Sequence, residues 1–122
     1  MIANYNLLYV DNAPASRDFY ARLLDLKPVE DSGNFVLFIL PNGIKFGLWN
    51  KHDVKPAANQ PGGFELGLPV GSDGEVDQLA ADWKARGISI IQEPETMDFG
   101  RTFTALDPDG HRLRVLHLDM GR

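Results

Sequence analysis

The sequence predicts an α+β fold in which two similar modules form a curved mixed sheet around a shared cleft. Three observations carry this expectation. Two Xaa-Gly turn signals, Asn42-Gly43 and Asp109-Gly110, each separate two apolar-alternating arms, the pattern of a β-hairpin. Two segments carry apolar residues at helical spacing. The order of these signals also recurs: Tyr5–Val10 maps onto Glu65–Val70 at an offset of 60, and Gly43 maps onto Gly110 at an offset of 67.

In chain order, "YNLLYV" (Tyr5–Val10) is a strand candidate. "DNAPASRDFYARLLD" follows as a helix, with Pro14 and Ser16 suited to its start and Phe19, Tyr20, Leu23 and Leu24 as its apolar stripe. Phe35–Pro41 and Ile44–Trp49 form the first hairpin, so this half reads β, α, β, β. A Pro/Asn/Gly-rich connector, "NKHDVKPAANQPGG", leads to the strand "FELGLPV". The helix "SDGEVDQLAADWKARG" then places Val76, Leu79, Ala80 and Trp83 on one face and stops at Gly87. "ISIIQ" and the hairpin "RTFTALDPDGHRLRVLHL" complete the second half. The chain thus reads as one domain, 1–122, with module one at about 3–50, a connector at 51–63 and module two at about 64–119.

Composition narrows the function. With 43% hydrophobic and 24% charged residues the 122-residue chain is an ordinary globular sequence with enough length for a core. Zero Cys removes thiolate metal sites and thiol nucleophiles, and makes the cytoplasm the expected location. The longest apolar run, Phe35–Leu40, is too short to span a bilayer, so no membrane partner is expected. A net charge of −5 with scattered positives argues against nucleic acid. His52, His111 and His117 are dispersed without metal-ligand spacing, and no G-x-S-x-G, GxGxxG or GxxxxGK pattern occurs.

Two-residue turns would pair Leu40 with Lys45, Phe38 with Gly47 and Val36 with Trp49 on the cleft face. Ile39, Leu37, Phe46 and Leu48 would then lie under the helix. The second hairpin would likewise set Asp107 against Arg112, Ala105 against Arg114 and Phe103 against Leu116 toward the cleft, with Leu106, Leu113 and Val115 toward the helix. Tyr5, Trp49 and Phe103, joined by Tyr9 and by Phe99 in the loop before the last hairpin, form an aromatic lining. Flat faces suit flat ligands, and Arg114 can meet a carboxylate or lie over a ring. Trp83 belongs to the core.

"LLYVDNAPASRDFYARLLDLKP", the paired module order and "FGRTFTALDPDGHRLRV" together resemble the vicinal oxygen chelate superfamily of glyoxalase I, extradiol dioxygenases and bleomycin-resistance proteins. The resemblance implies two βαβββ modules, the glyoxalase/bleomycin-resistance/dioxygenase fold. Asp25 departs from the Gly that usually ends the first helix. In metalloenzyme members the metal-ligand positions correspond here to Tyr5, Gly47, Glu65 and Arg114, of which only Glu65 has a suitable donor. The resemblance therefore implies no metal and no cofactor, with Glu65 pairing with Arg114 where an ion would otherwise sit. The simpler alternative makes Arg114 a solvated strand residue.

"QEPETMDFGRTFTALDPDGHRLRVLHLD", the "ELG" strand start and Trp49 look most like the phenazine-antibiotic-resistance subgroup, which binds a planar tricyclic acid such as griseoluteate. This implies a homodimeric binding protein that sequesters a planar aromatic small molecule, with Tyr5, Tyr9, Trp49, Glu65, Phe99, Phe103 and Arg114 at the ligand. The alternatives are a divergent metal-dependent lyase, isomerase or dioxygenase with a shifted metal site, and acid–base chemistry by Glu65, which a neighbouring Arg114 would weaken as a base.

Overall fold

The computed structural model describes residues 1–60 and 63–119. Residues 61 and 62, at the end of the expected connector, lie outside the described residues. The chain divides into two compact units, Met1–Gln60 and Pro61–Arg122.

In the first unit, β1 (Tyr5–Val10), α1 (Ala13–Leu24), β2 (Glu30–Asp31), β3 (Phe35–Ile39) and β4 (Lys45–Asn50) make a sheet in the order β1-β4-β3-β2. β1 runs parallel to β4, and the other pairs are antiparallel. The Asn12 side chain caps α1 by accepting from the Ala15 N–H at 3.0 Å, with Pro14 in the first turn where no N–H is needed. Ser16 lies in the first turn, as expected, its N–H on the Asn12 carbonyl at 3.0 Å and its side chain buried. Asp25 adopts the left-handed conformation at φ 54° and closes the helix with its N–H on the Ala21 carbonyl, the place where glycine is usual. Tyr20 sits edge-on to Phe46 at 4.9 Å, and with Val36, Phe38 and Leu48 forms the core against α1.

The second unit repeats this plan with β5 (Glu65–Pro69), α2 (Asp73–Ala85), β6 (Ser89–Met97), β7 (Gly100–Leu106) and β8 (Arg112–Leu118), in the order β5-β8-β7-β6. Ser72 caps α2 by accepting from the Glu75 N–H at 3.1 Å, and the Glu75 carboxylate reaches back to the Gly71 N–H. At the other end Gly87 (φ 81°) sends its N–H to Lys84, and Ile88 sends its own to Trp83, as the expected glycine stop requires. Val76, Ala80, Trp83, Phe103, Ala105, Leu113 and Val115 are buried between α2 and its sheet. Each unit is therefore β-α-β-β-β; the short β2 is an element that the residue pattern of the first half did not reveal. Among the described residues no helix is long and apolar enough to cross a membrane.

Both hairpins differ from expectation by one residue. Leu40 N–H bonds the Ile44 carbonyl and Gly43 N–H bonds Leu40, both at 2.8 Å, with Gly43 left-handed at φ 85°. The second turn repeats this from Asp107 to His111, with Gly110 at φ 86°. These are three-residue loops, a type I turn followed by a left-handed glycine, rather than two-residue turns. The signal was Pro41-Asn42-Gly43 and Pro108-Asp109-Gly110: proline's fixed φ suits the second position of a type I turn. The buried Asp107 carboxylate fixes the second loop, accepting from the Asp109 and His111 N–H groups at 2.9 and 2.8 Å.

The extra residue changes every cross-strand pair. Ile39 now faces Lys45, Leu37 faces Gly47, and Phe35 faces Trp49. Likewise Leu106 faces Arg112, Thr104 faces Arg114 and Thr102 faces Leu116. A one-residue slip turns a strand over, so β3 and β7 present opposite faces from those expected, while β4 and β8 keep theirs. Val36, Phe38, Phe103 and Ala105 enter the helix-covered cores, and Leu37, Ile39 and Leu106 leave them.

Candidate functional site

On the second unit's sheet face opposite α2, one polar network crosses all four strands. Arg114 on β8 bonds Glu65 on β5 in a fork, Nε to Oε2 at 2.6 Å and Nη2 to Oε1 at 2.9 Å. Its Nη1 donates to Gln92 Oε1 on β6 at 3.0 Å and to Thr102 Oγ1 on β7 at 3.2 Å. Thr104 donates to the same Gln92 oxygen at 2.7 Å, and Thr102 donates to the Val115 carbonyl at 2.8 Å. The Gln92 amide nitrogen in turn bonds Glu95 at 2.9 Å. Among the described residues no buried side-chain nitrogen or oxygen lacks a partner.

Local structure explains why Gln92 reaches this network. The β6–β7 register shifts on both sides of it, between Ile90 and Gln92 and again between Gln92 and Glu95. Such bulges bend a strand and re-aim its side chains, and Pro94, which lacks an N–H, tolerates the unpaired backbone. Arg114 carries its Cζ 6.0 Å from the centroid of Phe99, in the turn between β6 and β7. Its side chain is 19% exposed and that of Glu65 is 34% exposed. The charge-assisted hydrogen bonds from Arg114 hold the Glu65 carboxyl below the usual glutamate value, against the opposing effect of burial. A carboxylate stabilised in this way is a weaker base, which removes support for acid–base chemistry by Glu65.

In the first unit, the face opposite α1 carries aromatic side chains. Trp49 is met edge-on by Tyr9 at 6.4 Å and by Phe35 at 6.2 Å between ring centroids. Tyr5 lies on the same face of β1, opposite Lys45, and is 47% exposed. Between them Leu7 faces Gly47.

Of the residues expected at a ligand, Glu65, Phe99 and Arg114 come together in the second unit, and Tyr9 and Trp49 in the first. Phe103 joins neither group. It is fully buried against Trp83 at 5.1 Å, because the longer hairpin loop turns it toward α2, and Thr102 and Thr104 take the face it was expected to occupy. Thr102, Thr104 and Phe35 were missed for that same reason, since only the correct register places them, and Gln92 was missed because the bulges of β6 aim it. His52 is exposed beside Asp11 at 3.1 Å, and the half-buried His117 pairs with Asp73 at 2.9 Å. His111 is half-buried, following the second hairpin loop.

The paired β-α-β-β-β units match a known class. The family model of the Glyoxalase/Bleomycin resistance protein/Dioxygenase superfamily matches residues 2–115, and the chain belongs to that superfamily. Within it, the chain is 37% identical over 119 residues to the phenazine antibiotic resistance protein EhpR of Enterobacter agglomerans, covering 95% of this chain and 92% of that protein. A protein of Agrobacterium tumefaciens solved in solution by NMR is 50% identical, with 98% of each chain covered and a TM-score of 0.90. A glyoxalase-related enzyme from Fulvimarina pelagi shares the fold at a TM-score of 0.83 and 21% identity, over 96% of this chain and 88% of that one.

The residues at the positions that hold metal in enzyme members do not fit a divalent ion. Gly47 has no donor, and a Cβ built there would lie 2.6 Å from Leu7 Cδ2 and 3.2 Å from the Phe35 ring, so other side chains fill the space a ligand would need. Both oxygens of Glu65 are bonded by Arg114, whose guanidinium cannot give up its charge. Tyr5 offers a phenol, a poor donor type for a divalent ion. Among the described residues no three His, Cys, Asp or Glu side chains are grouped so as to hold a metal ion.

Proposed function

We propose that this protein binds a planar aromatic small molecule of the phenazine type and acts, as a homodimer, by sequestering it without turnover. The observation that carries the reading is Trp49, half-buried on an open sheet face with Tyr9 and Phe35 set edge-on against it. Tyr9 and Phe35 on the two flanking strands hold the indole, which stays half-exposed, and a ring stacked on it would add about 0.5–1.5 kcal/mol beyond area burial. The 37% identity to a phenazine antibiotic resistance protein supports the ligand class. The glycine and guanidinium at ligand positions of the metalloenzymes support binding over metal-dependent catalysis. Sequestration lowers free drug in proportion to the protein supplied.

Titration with phenazine-1-carboxylate tests this directly. Saturable quenching of tryptophan fluorescence is expected, and calorimetry of Trp49→Ala is expected to show affinity weakened about tenfold or more, from lost stacking and lost buried area. Trp83, enclosed against Phe103, serves as an internal control for folding in the variant. A Trp49→Ala protein that binds as tightly as the parent contradicts the reading.

A further inference from the structure

Resting on the reading above, the sheet face that carries Trp49 also selects the charge of what binds there: we propose that Lys45 receives the anionic group of an aromatic acid whose rings lie against Trp49. Both residues stand on β4 of the first unit. Phe46 and Leu48 enter the core under α1, so Lys45, Gly47 and Trp49 share the opposite side of the strand. Trp49 and its two edge-on neighbours form one end of a strip. The exposed Leu7, facing Gly47, forms its apolar middle. Lys45 forms the other end, between Tyr5 on β1 and Ile39 on β3, both exposed. The four residues from Trp49 to Lys45 cover about 13 Å of strand. A flexible lysine stem shortens that gap, so a three-ring system that overlaps the indole and runs along β4 over Leu7 brings an acid group at its far end to the ammonium.

The surroundings of Lys45 set it apart from the other lysines. Lys27, Lys51, Lys55 and Lys84 are exposed, whereas Lys45 is half-buried. Among the described residues no carboxylate lies within 4.0 Å of its ammonium, and no other group bonds it. No buried side-chain nitrogen among those residues lacks a partner, so this unbonded ammonium reaches the surface. Glu30, the carboxylate of the same sheet face, stands on the edge strand β2 opposite Leu37 and makes no ion pair with it. A cation partly withdrawn from water with no counter-ion has lost hydration without an ion pair in return, and an incoming carboxylate supplies one. The face is otherwise aromatic and aliphatic from Trp49 to Tyr5, so its complement is a flat apolar body with one negative end.

The test compares phenazine-1-carboxylate with phenazine-1-carboxamide, which keeps the shape and lacks the charge, at neutral pH by calorimetry, on the parent protein and on Lys45→Met. The parent is expected to prefer the acid by about fivefold or more, between the scale of an exposed ion pair and that of a hydrogen bond to a charged group. Lys45→Met keeps an apolar stem and loses the charge. Its affinity for the acid is expected to fall until acid and amide lie within about twofold of one another, while its affinity for the amide, which also reports that the variant is folded, stays within about twofold of the parent's. A parent protein that binds acid and amide equally overturns the inference while leaving phenazine binding intact. An acid preference that Lys45→Met retains overturns it too, because another cation then holds the acid. Failure of the parent to bind either compound overturns the reading beneath it.

Discussion

Phe103→Ala is expected to destabilise the protein by about 3–5 kcal/mol, as removal of a fully buried aromatic side chain does. The cost has two parts. Apolar area is lost from the core, and the Trp83 ring loses its edge-on partner at 5.1 Å, leaving a cavity under α2. Chemical denaturation of the variant measures the first effect, and ligand titration at a temperature where it remains folded measures whether the site is touched. Stability is expected to fall sharply while ligand affinity stays within about twofold of the parent, since β7 presents Thr102 and Thr104, not Phe103, to the face that carries Arg114. A variant of normal stability with lost binding would place Phe103 at the ligand and refute the register.

Gly100→Ala is expected to cost about 3 kcal/mol or more, because strain in φ and a backbone clash act together there. Gly100 opens β7 at φ 143°, a conformation side chains rarely adopt, and the place a Cβ would occupy is already filled by the His117 carbonyl oxygen. No flexible side-chain end is available to yield, so β8 itself would have to move away from β7. The Asp119 N–H bond to the Phe99 carbonyl and the pairing of Gly100 with Leu118 would go with it. Thermal unfolding provides the measurement: a melting temperature lowered by about 10 °C or more is expected, and an unchanged one contradicts the geometry.

The two helices, the order of the main strands and the sixty-residue internal offset were legible in the sequence because they rest on apolar period and on end signals, such as Gly87, which act locally. The partnership of Glu65 and Arg114 was legible from strand direction on β5 and β8, which the loop length did not disturb. The faces of β3 and β7 were not legible from Asn42-Gly43 and Asp109-Gly110 alone. Those dipeptides are compatible with both a two-residue and a three-residue loop, and the preceding Pro41 and Pro108 decide between them. From that single residue follow the burial of Phe103 under α2, the turn of Thr102 and Thr104 to the opposite sheet face, and the place of Phe35 against Trp49. Gln92 needed more still, since bulges on an edge strand leave little trace beyond Pro94.

A flat aromatic ligand bound through protein side chains alone is the expectation for this member of the superfamily, whose Glu65 is already paired with Arg114. Calorimetric titration of phenazine-1-carboxylate into protein dialysed against a strong chelator, with the ligand recovered afterwards for mass analysis, tests it most directly. Saturable binding whose affinity is unchanged by adding zinc or manganese is expected, with the ligand returned unaltered. Binding that appears only when a divalent ion is restored, or a ligand converted to product, would contradict it.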